Sequence, residues 1–225
     1  MAETAENTKQ LEVKAEKKEA LFSKKNRKLV TDPLDGDNPV TVQVLGVCSA
    51  LAITAQMMPA LVMGLAVIFV VTCSNVVTSL LRNTIPSSIR IVVQLAVVAT
   101  FVIFVSQILE AFVYETAKYL GPFVGLIITN CIVMGRLEAF AMGNKPWPSF
   151  LDGLGNSLGY TVILLIIAFF REILGSGSLF GFKIFESMGI QYQGNGLMLL
   201  PAGAAIMLGL LIWIQRSVNG YVEEA

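Results

Sequence analysis

Apolar residues along this chain are gathered into six runs that are separated by polar stretches. A transmembrane helix needs roughly 20 predominantly apolar residues, with a range of about 17–25. The second and third runs meet this requirement easily, whereas the first and fourth are short and contain polar residues, and the fifth is marginal. The pattern predicts an all-α polytopic membrane protein with six transmembrane helices. The runs are residues 39–56, 59–81, about 89–113, about 120–135, about 155–170 and about 197–215.

Charged residues are concentrated before the first apolar run. Residues 1–38 contain eight Lys/Arg and eight Asp/Glu, half of the 16 and 16 in the chain, which is 55% hydrophobic and 14% charged overall. A soluble domain usually has about 25% charged residues. We therefore divide the chain into a polar, solvated N-terminal tail (1–38), a six-helix membrane domain (39–216) and a short C-terminal tail (217–225). The net charge of zero gives no indication of a nucleic-acid partner.

Basic residues beside the runs predict the orientation in the membrane, because cytoplasmic loops are rich in Lys and Arg. If the N-terminus is cytoplasmic, thirteen Lys/Arg lie on that side and three on the other. Without the tail the ratio is five to three, so the tail contributes much of the bias. We expect a multi-pass protein with both termini in the cytoplasm. The three basic residues assigned to the outside are Lys118, Arg171 and Lys183.

The two halves of the membrane domain have the same layout. Each begins with a short run that contains a cysteine, Cys48 in the first and Cys131 in the second, and continues with two longer runs. Three spans per half place the second half upside down relative to the first, which is the inverted-repeat pattern of many transporters. We predict inverted repeats at about 39–113 and 120–216, in which the short runs are half-helices that meet near the middle of the membrane.

The two cysteines of the half-helices are candidates for a metal site. Thiolates are soft ligands that suit iron–sulfur clusters and zinc, and both a Cys₄ zinc site and a [2Fe–2S] cluster take four of them. Cys48 and Cys131 supply two, so a homologous partner with its own pair has to complete the set. A disulfide between them is the other possibility, which the reducing cytoplasm disfavours. Cys73 has no counterpart in the second half, and we interpret it as a packing residue.

Five longer stretches of the sequence are recognisable. They are "NPVTVQVLGVCSALAIT" (38–54), "SNVVTSLLRNTIPSSIRIVVQ" (74–94), "GLIITNCIVMGRLEAFAMG" (125–143), "SFLDGLGNSLGY" (149–160) and "REILGSGSLFG" (171–181), and they cover nearly everything from Asn38 to Arg216. These stretches resemble the D-subunit family of the sodium-translocating NADH:quinone oxidoreductase (Nqr), a six-subunit bacterial membrane complex. The nearest alternative is the homologous component of the Rnf ferredoxin:NAD complex, where Pro typically follows the first cysteine, but here the sequence is "CSALA".

This resemblance implies a role in electron transfer coupled to sodium transport at the bacterial inner membrane. It implies that Cys48 and Cys131 are iron ligands of a [2Fe–2S] cluster shared with the homologous E subunit, which has the opposite orientation. The A, B, C and F subunits are the other implied partners, and the cluster passes electrons between flavins that they hold. The chain has no complete active site of its own. No G-x-G-x-x-G fingerprint follows a strand, so we expect neither flavin nor NAD to bind here.

Two other classes of function fit parts of the pattern. A stand-alone secondary transporter also uses inverted repeats with broken helices, although the matched cysteines argue against it. A structural scaffold with incidental cysteines is the third possibility.

Few side chains inside the runs could contact an ion, and none is assigned as a sodium ligand. We expect Glu110 and Asp152 to lie near a membrane interface, because charge is costly in lipid. The polar candidates near the midplane are Thr129, Asn130 and Asn75, and the GxxxG at Gly155–Gly159 predicts close helix packing.

Overall fold

The computed structural model describes residues 29–34, 38–112, 114–179, 182–183 and 194–219. Most of the predicted N-terminal tail and residues 220–225 therefore lie outside the described residues. The described chain is helical apart from a two-residue antiparallel pairing of β1 (Ser178–Leu179) with β2 (Phe182–Lys183). The α-helices are α1 (Val47–Ile53), α2 (Met57–Leu81), α3 (Arg90–Phe112), α4 (Tyr114–Ile128), α5 (Cys131–Arg136), α6 (Pro146–Ser176), α7 (Gly196–Leu199) and α8 (Pro201–Asn219), with 3₁₀ turns at Asp32–Leu34 and Ser87–Ile89 and a π-helix at Leu137–Ala141.

Four stretches of the described chain are long and apolar enough to cross a membrane. They confirm an all-helical, multi-pass membrane protein, whereas the arrangement as six spans in two inverted repeats stays a prediction. The four stretches are Met57–Leu81, Arg90–Phe112, Phe123–Ala141 and Pro146–Ser176.

The short runs differ most from regular spans. In the first run only the seven residues of α1 are α-helical, because the preceding turns contain Val44 and Gly46 at positive φ, 55° and 78°. The fourth run is interrupted at Asn130, whose side chain caps a new helix by accepting a hydrogen bond from the Ile132 backbone. The fifth run is the interior of the 31-residue α6, which starts with Pro146 in its first turn.

Helices α2 and α6 form the centre of the membrane domain and run antiparallel. The most apolar window of each is 56% buried, against 22% for α3. Small residues bring the two backbones together: an added Cβ at Gly64 would lie 2.4 Å from Thr161 Cγ2, and one at Gly153 would lie 2.7 Å from Asn75 Nδ2. Apolar side chains on the outer surface of α3 are left to face lipid or a neighbouring protein chain.

A segment that the composition assigned to the polar tail packs against α6. An added Cβ at Gly155 would lie 2.5 Å from the Leu29 carbonyl oxygen, and one at Gly159 would lie 2.4 Å from the Pro33 carbonyl oxygen. Asn38 Nδ2 donates a hydrogen bond to the Gly159 carbonyl at 3.3 Å. The GxxxG pair therefore does mark close backbone packing, but its partner is the segment before residue 39 rather than a transmembrane helix.

Candidate functional site

The two candidate cysteines lie in the first turns of the two short helices. Cys48 is the second residue of α1, whose N-cap is Gly46, and Cys131 is the first residue of α5, whose N-cap is Asn130. Both thiols are free and both side chains are exposed on the surface of this chain. They are therefore open to a ligand or a partner chain.

The N-terminal ends of α1 and α5 are in direct contact. Asn130 Nδ2 donates a hydrogen bond to Ser49 Oγ at 3.1 Å. Asn130 Oδ1 accepts from the Ile132 backbone at 3.3 Å and would lie 3.2 Å from a Cβ added at Gly46. The residue after Cys48 is thus bonded to the residue before Cys131, so the short segments meet where each carries its cysteine.

A tyrosine from α6 is hydrogen-bonded to the serine of this contact. The Tyr160 hydroxyl lies 2.7 Å from Ser49 Oγ, and the Ser49 hydroxyl also donates to the Gly46 carbonyl at 2.9 Å. Because Ser49 has one proton to donate, Tyr160 donates to Ser49, whose two lone pairs then serve Tyr160 and Asn130. We call these three residues, which are 0–1% exposed, the Ser49–Asn130–Tyr160 cluster.

The far end of α1 is held by a buried arginine. Arg171 of α6 is 1% exposed, and its Nη1 donates to Thr54 Oγ1 at 2.6 Å and to the Leu51 carbonyl at 3.4 Å. Its Nε and Nη2 donate to carbonyls of Met198, Leu199 and Leu200 at 3.0–3.2 Å. The final carbonyls of a helix lack intrahelical partners and carry partial negative charge. The guanidinium is therefore compensated by two helix ends, and it does not lie in an outer loop as the hydropathy pattern predicted.

The far end of α5 is held by an ion pair to the same helix. Arg136 Nε donates to Asp152 Oδ2 at 3.0 Å, and a second bond joins Nη2 to Oδ1. Asp152 is 1% exposed and also accepts from Asn156 Nδ2 at 3.1 Å. Removing one partner of a buried ion pair leaves an uncompensated charge and costs about 3–5 kcal/mol. Asp152 thus anchors α5, whereas the sequence predicts only a position near a membrane interface.

The remaining candidates lie elsewhere in the fold. Cys73 is half-buried within α2, and Asn75 on the same helix donates from Nδ2 to the Ser149 carbonyl at 3.2 Å. Thr129 and Glu110 are exposed. Sequence reasoning missed Tyr160 and the role of Arg171, because Tyr160 is 111 residues from Ser49 and Arg171 is 117–120 residues from its partners at the end of α1.

Comparison with known proteins identifies the family. The model of the Rnf-Nqr subunit family, described as a membrane protein, matches residues 26–212. The chain belongs to the Rnf-Nqr family.

Members of the Rnf-Nqr family with high similarity to this chain share one name, the D subunit of Na(+)-translocating NADH-quinone reductase. The protein of that name from Photobacterium profundum is 53% identical over 205 residues, covering 90% of this chain and 98% of the relative. The one from Shewanella woodyi has the same identity and coverage. The one from Shewanella denitrificans is 54% identical over 204 residues, covering 90% and 97%. The resemblance to the Nqr D-subunit family is confirmed, and by name these relatives are subunits of an oxidoreductase complex.

Proposed function

We propose that this chain is the D subunit of a sodium-translocating NADH:quinone reductase of the bacterial inner membrane, and that it supplies two of the four ligands of an intramembrane [2Fe–2S] cluster. The observation that carries the second part is the pair of exposed, free cysteines whose neighbours Ser49 and Asn130 are hydrogen-bonded. The shared name of the relatives supports the first part, and it favours the Nqr complex over the Rnf complex.

The donors of this chain suit half of such a cluster. Iron–sulfur clusters are held by Cys thiolates, and a [2Fe–2S] cluster takes four. Cys48 and Cys131 are thiols without a disulfide bond, and the described residues contain no group of three or more His, Cys, Asp or Glu that could hold a metal ion. A second chain has to provide the other two ligands. We assign this role to the homologous E subunit in the opposite orientation, with the A, B, C and F subunits completing the complex.

The work of this chain is to hold two thiols at a fixed position. When bound, the cluster supplies one-electron transfer between flavins of the other subunits. Helix α6 fixes α1 through Tyr160 and Arg171, and it fixes α5 through Asp152. The contacts of Tyr160 and Arg171 are buried and that of Asp152 is part-buried. Water therefore competes little with them, and hydrogen bonds in this setting are stronger than at a wet surface. The exposed sides of Cys48 and Cys131 are left for the partner.

Replacing either ligand tests the proposal. The Cys48→Ser and Cys131→Ser chains are each assembled into the intact complex, and iron, acid-labile sulfide and the EPR spectrum after reduction are measured. We expect each substitution to remove one [2Fe–2S] signal and to stop quinone reduction, while NADH oxidation by an artificial acceptor continues. The matched control is Cys73→Ser, which should leave all three readouts unchanged. Full quinone reductase turnover in the Cys48→Ser complex would disprove the ligand assignment.

A further inference from the structure

The two cysteine-bearing helices share a single buried hydroxyl group. Ser49 Oγ has partners from three separate parts of the chain: the Gly46 carbonyl before α1, Asn130 before α5 and Tyr160 on α6. The Ser49 hydroxyl has one proton to donate and two lone pairs to accept with, so these three bonds use its whole capacity. The hydroxyl therefore has one favoured position relative to all three parts.

We propose that Tyr160 is a positioning residue that sets the separation of Cys48 and Cys131 through Ser49 and Asn130. The Tyr160 hydroxyl is the only donor that α6 provides to Ser49 among the described contacts. It connects the α1–α5 contact to the helix that also holds the far ends of both helices through Arg171 and Asp152. Without it, α1 and α5 remain joined to each other by Asn130, but their junction is no longer bonded to α6.

The ring and the hydroxyl of Tyr160 act in different ways. The ring packs on the backbone of Gly46, since an added Cβ there would lie 2.9 Å from Tyr160 Cε2. The hydroxyl alone bonds Ser49. Tyr160→Phe therefore keeps the packing beneath α1 and removes only the bond, which separates positioning from general stability.

The separation of the thiols matters because of the proposed function, on which this inference rests. A metal site tolerates displacement of its ligands by about 0.5 Å. Groups that orient ligands without touching the metal typically change metal affinity by about 10–100-fold when they are removed. Tyr160 would touch neither sulfur nor iron, and it would act by way of the two helices.

The first test needs no cluster. In the intact complex carrying Cys73→Ser and depleted of iron, Cys48 and Cys131 are joined with bifunctional thiol reagents of graded length, and the linked peptides of this chain are quantified by mass spectrometry. For the complex with wild-type Tyr160, we expect one reagent length to give most of the linked peptides. For the Tyr160→Phe complex, we expect linked peptides over a broader range of reagent lengths. The control Thr161→Val removes a neighbouring buried hydroxyl of α6 that bonds Gly64 and Ser157 instead, and it should keep the wild-type profile.

The second test uses the iron-loaded complex. In competition with a chelator, we expect the Tyr160→Phe complex to bind iron with about 10–100-fold lower affinity than the wild-type complex. We also expect a shift in the EPR spectrum of its reduced cluster. Thr161→Val should change neither the iron affinity nor the spectrum. Ser49→Ala removes the bond to Tyr160 together with the bonds to Asn130 and to the Gly46 carbonyl. It should produce both effects at least as strongly, and it is used if the Tyr160→Phe complex does not assemble.

The outcomes separate this inference from the proposed function. Cross-linking profiles of Tyr160→Phe and Ser49→Ala that match wild type would overturn the positioning role. A changed profile together with cluster signals that survive Cys48→Ser and Cys131→Ser would support the positioning role and overturn the ligand assignment.

Discussion

Asn130 shows how a polar side chain is accommodated inside an apolar run. An unpaired amide there would be costly, but Asn130 caps α5 with Oδ1 and donates to Ser49 from Nδ2. The sequence alone identifies Asn130 as a polar candidate near the midplane. Its partners could not be predicted, because Ser49 is 81 residues away and Ser49 in turn bonds a tyrosine 111 residues away. The local sequence pattern does not indicate which buried hydroxyl is hydrogen-bonded to which side-chain amide.

Asn130→Ala should destabilise the protein more than loss of an ordinary helix cap. Replacing an N-cap costs about 0.5–2 kcal/mol, and a buried group left unsatisfied adds about 1–3 kcal/mol. The control is Asn195→Ala, since Asn195 also caps a short helix by accepting from the Leu197 backbone, but at an exposed site. The measurement is the melting temperature of the purified complex. Equal decreases for the two variants would show that the bond to Ser49 adds nothing.

At the scale of elements, hydropathy predicted the uninterrupted helices best. The second and third runs, 59–81 and about 89–113, correspond to α2 (Met57–Leu81) and α3 (Arg90–Phe112) within two residues at each end. Helix α6 begins well before the predicted fifth run because Ser149, Asp152 and Gly153 lower the hydropathy of its first turns. Those residues are buried, so they face other protein segments and not lipid, and a hydropathy pattern does not distinguish the two.

The packing of residues 29–33 on α6 predicts opposite effects for two glycine substitutions. Gly155→Ala would place a Cβ 2.5 Å from the Leu29 carbonyl oxygen and 2.8 Å from Val30 Cα, and overpacking of this kind costs about 1–3 kcal/mol. At Gly209 in α8 nothing lies within 4 Å of the added Cβ. Gly209→Ala should therefore stabilise the helix by about 0.5–1 kcal/mol. Melting temperatures of the two complexes should move in opposite directions, and an unchanged or raised melting temperature for Gly155→Ala would contradict this packing.

At the scale of the whole molecule, α6 is the helix that contacts both cysteine-bearing helices. Asp152 anchors α5 and Arg171 anchors α1, and at a rise of about 1.5 Å per residue they are about 28 Å apart. That is close to the thickness of the hydrocarbon core, about 30 Å. Tyr160 lies between them and holds the junction of the two short helices. One continuous helix thus holds the junction of α1 and α5 and the far end of each.

The predicted orientation can be tested at the C-terminus. Arg171 and Arg136, which the sequence assigned to opposite sides, both have partners inside the described chain, so neither decides the balance of Lys and Arg in the loops. We expect a fluorescent protein fused after Ala225 to fluoresce, and alkaline phosphatase fused there to be inactive. The control fusion, placed after Gly177 at the end of α6, should give active phosphatase. The reverse result at both positions would invert the topology.

The bonds of Arg171 also impose an order on how the protein is made. Leu51 in α1 leaves the ribosome 120 residues before Arg171, a delay of about 6–24 s at roughly 5–20 residues per second. Met198, Leu199 and Leu200, which share the same guanidinium, follow later still. The first cysteine segment therefore enters the membrane long before the groups that fix it exist. Its final position is acquired only when translation has passed residue 200, so a truncated chain that ends within α6 would insert but not complete the site.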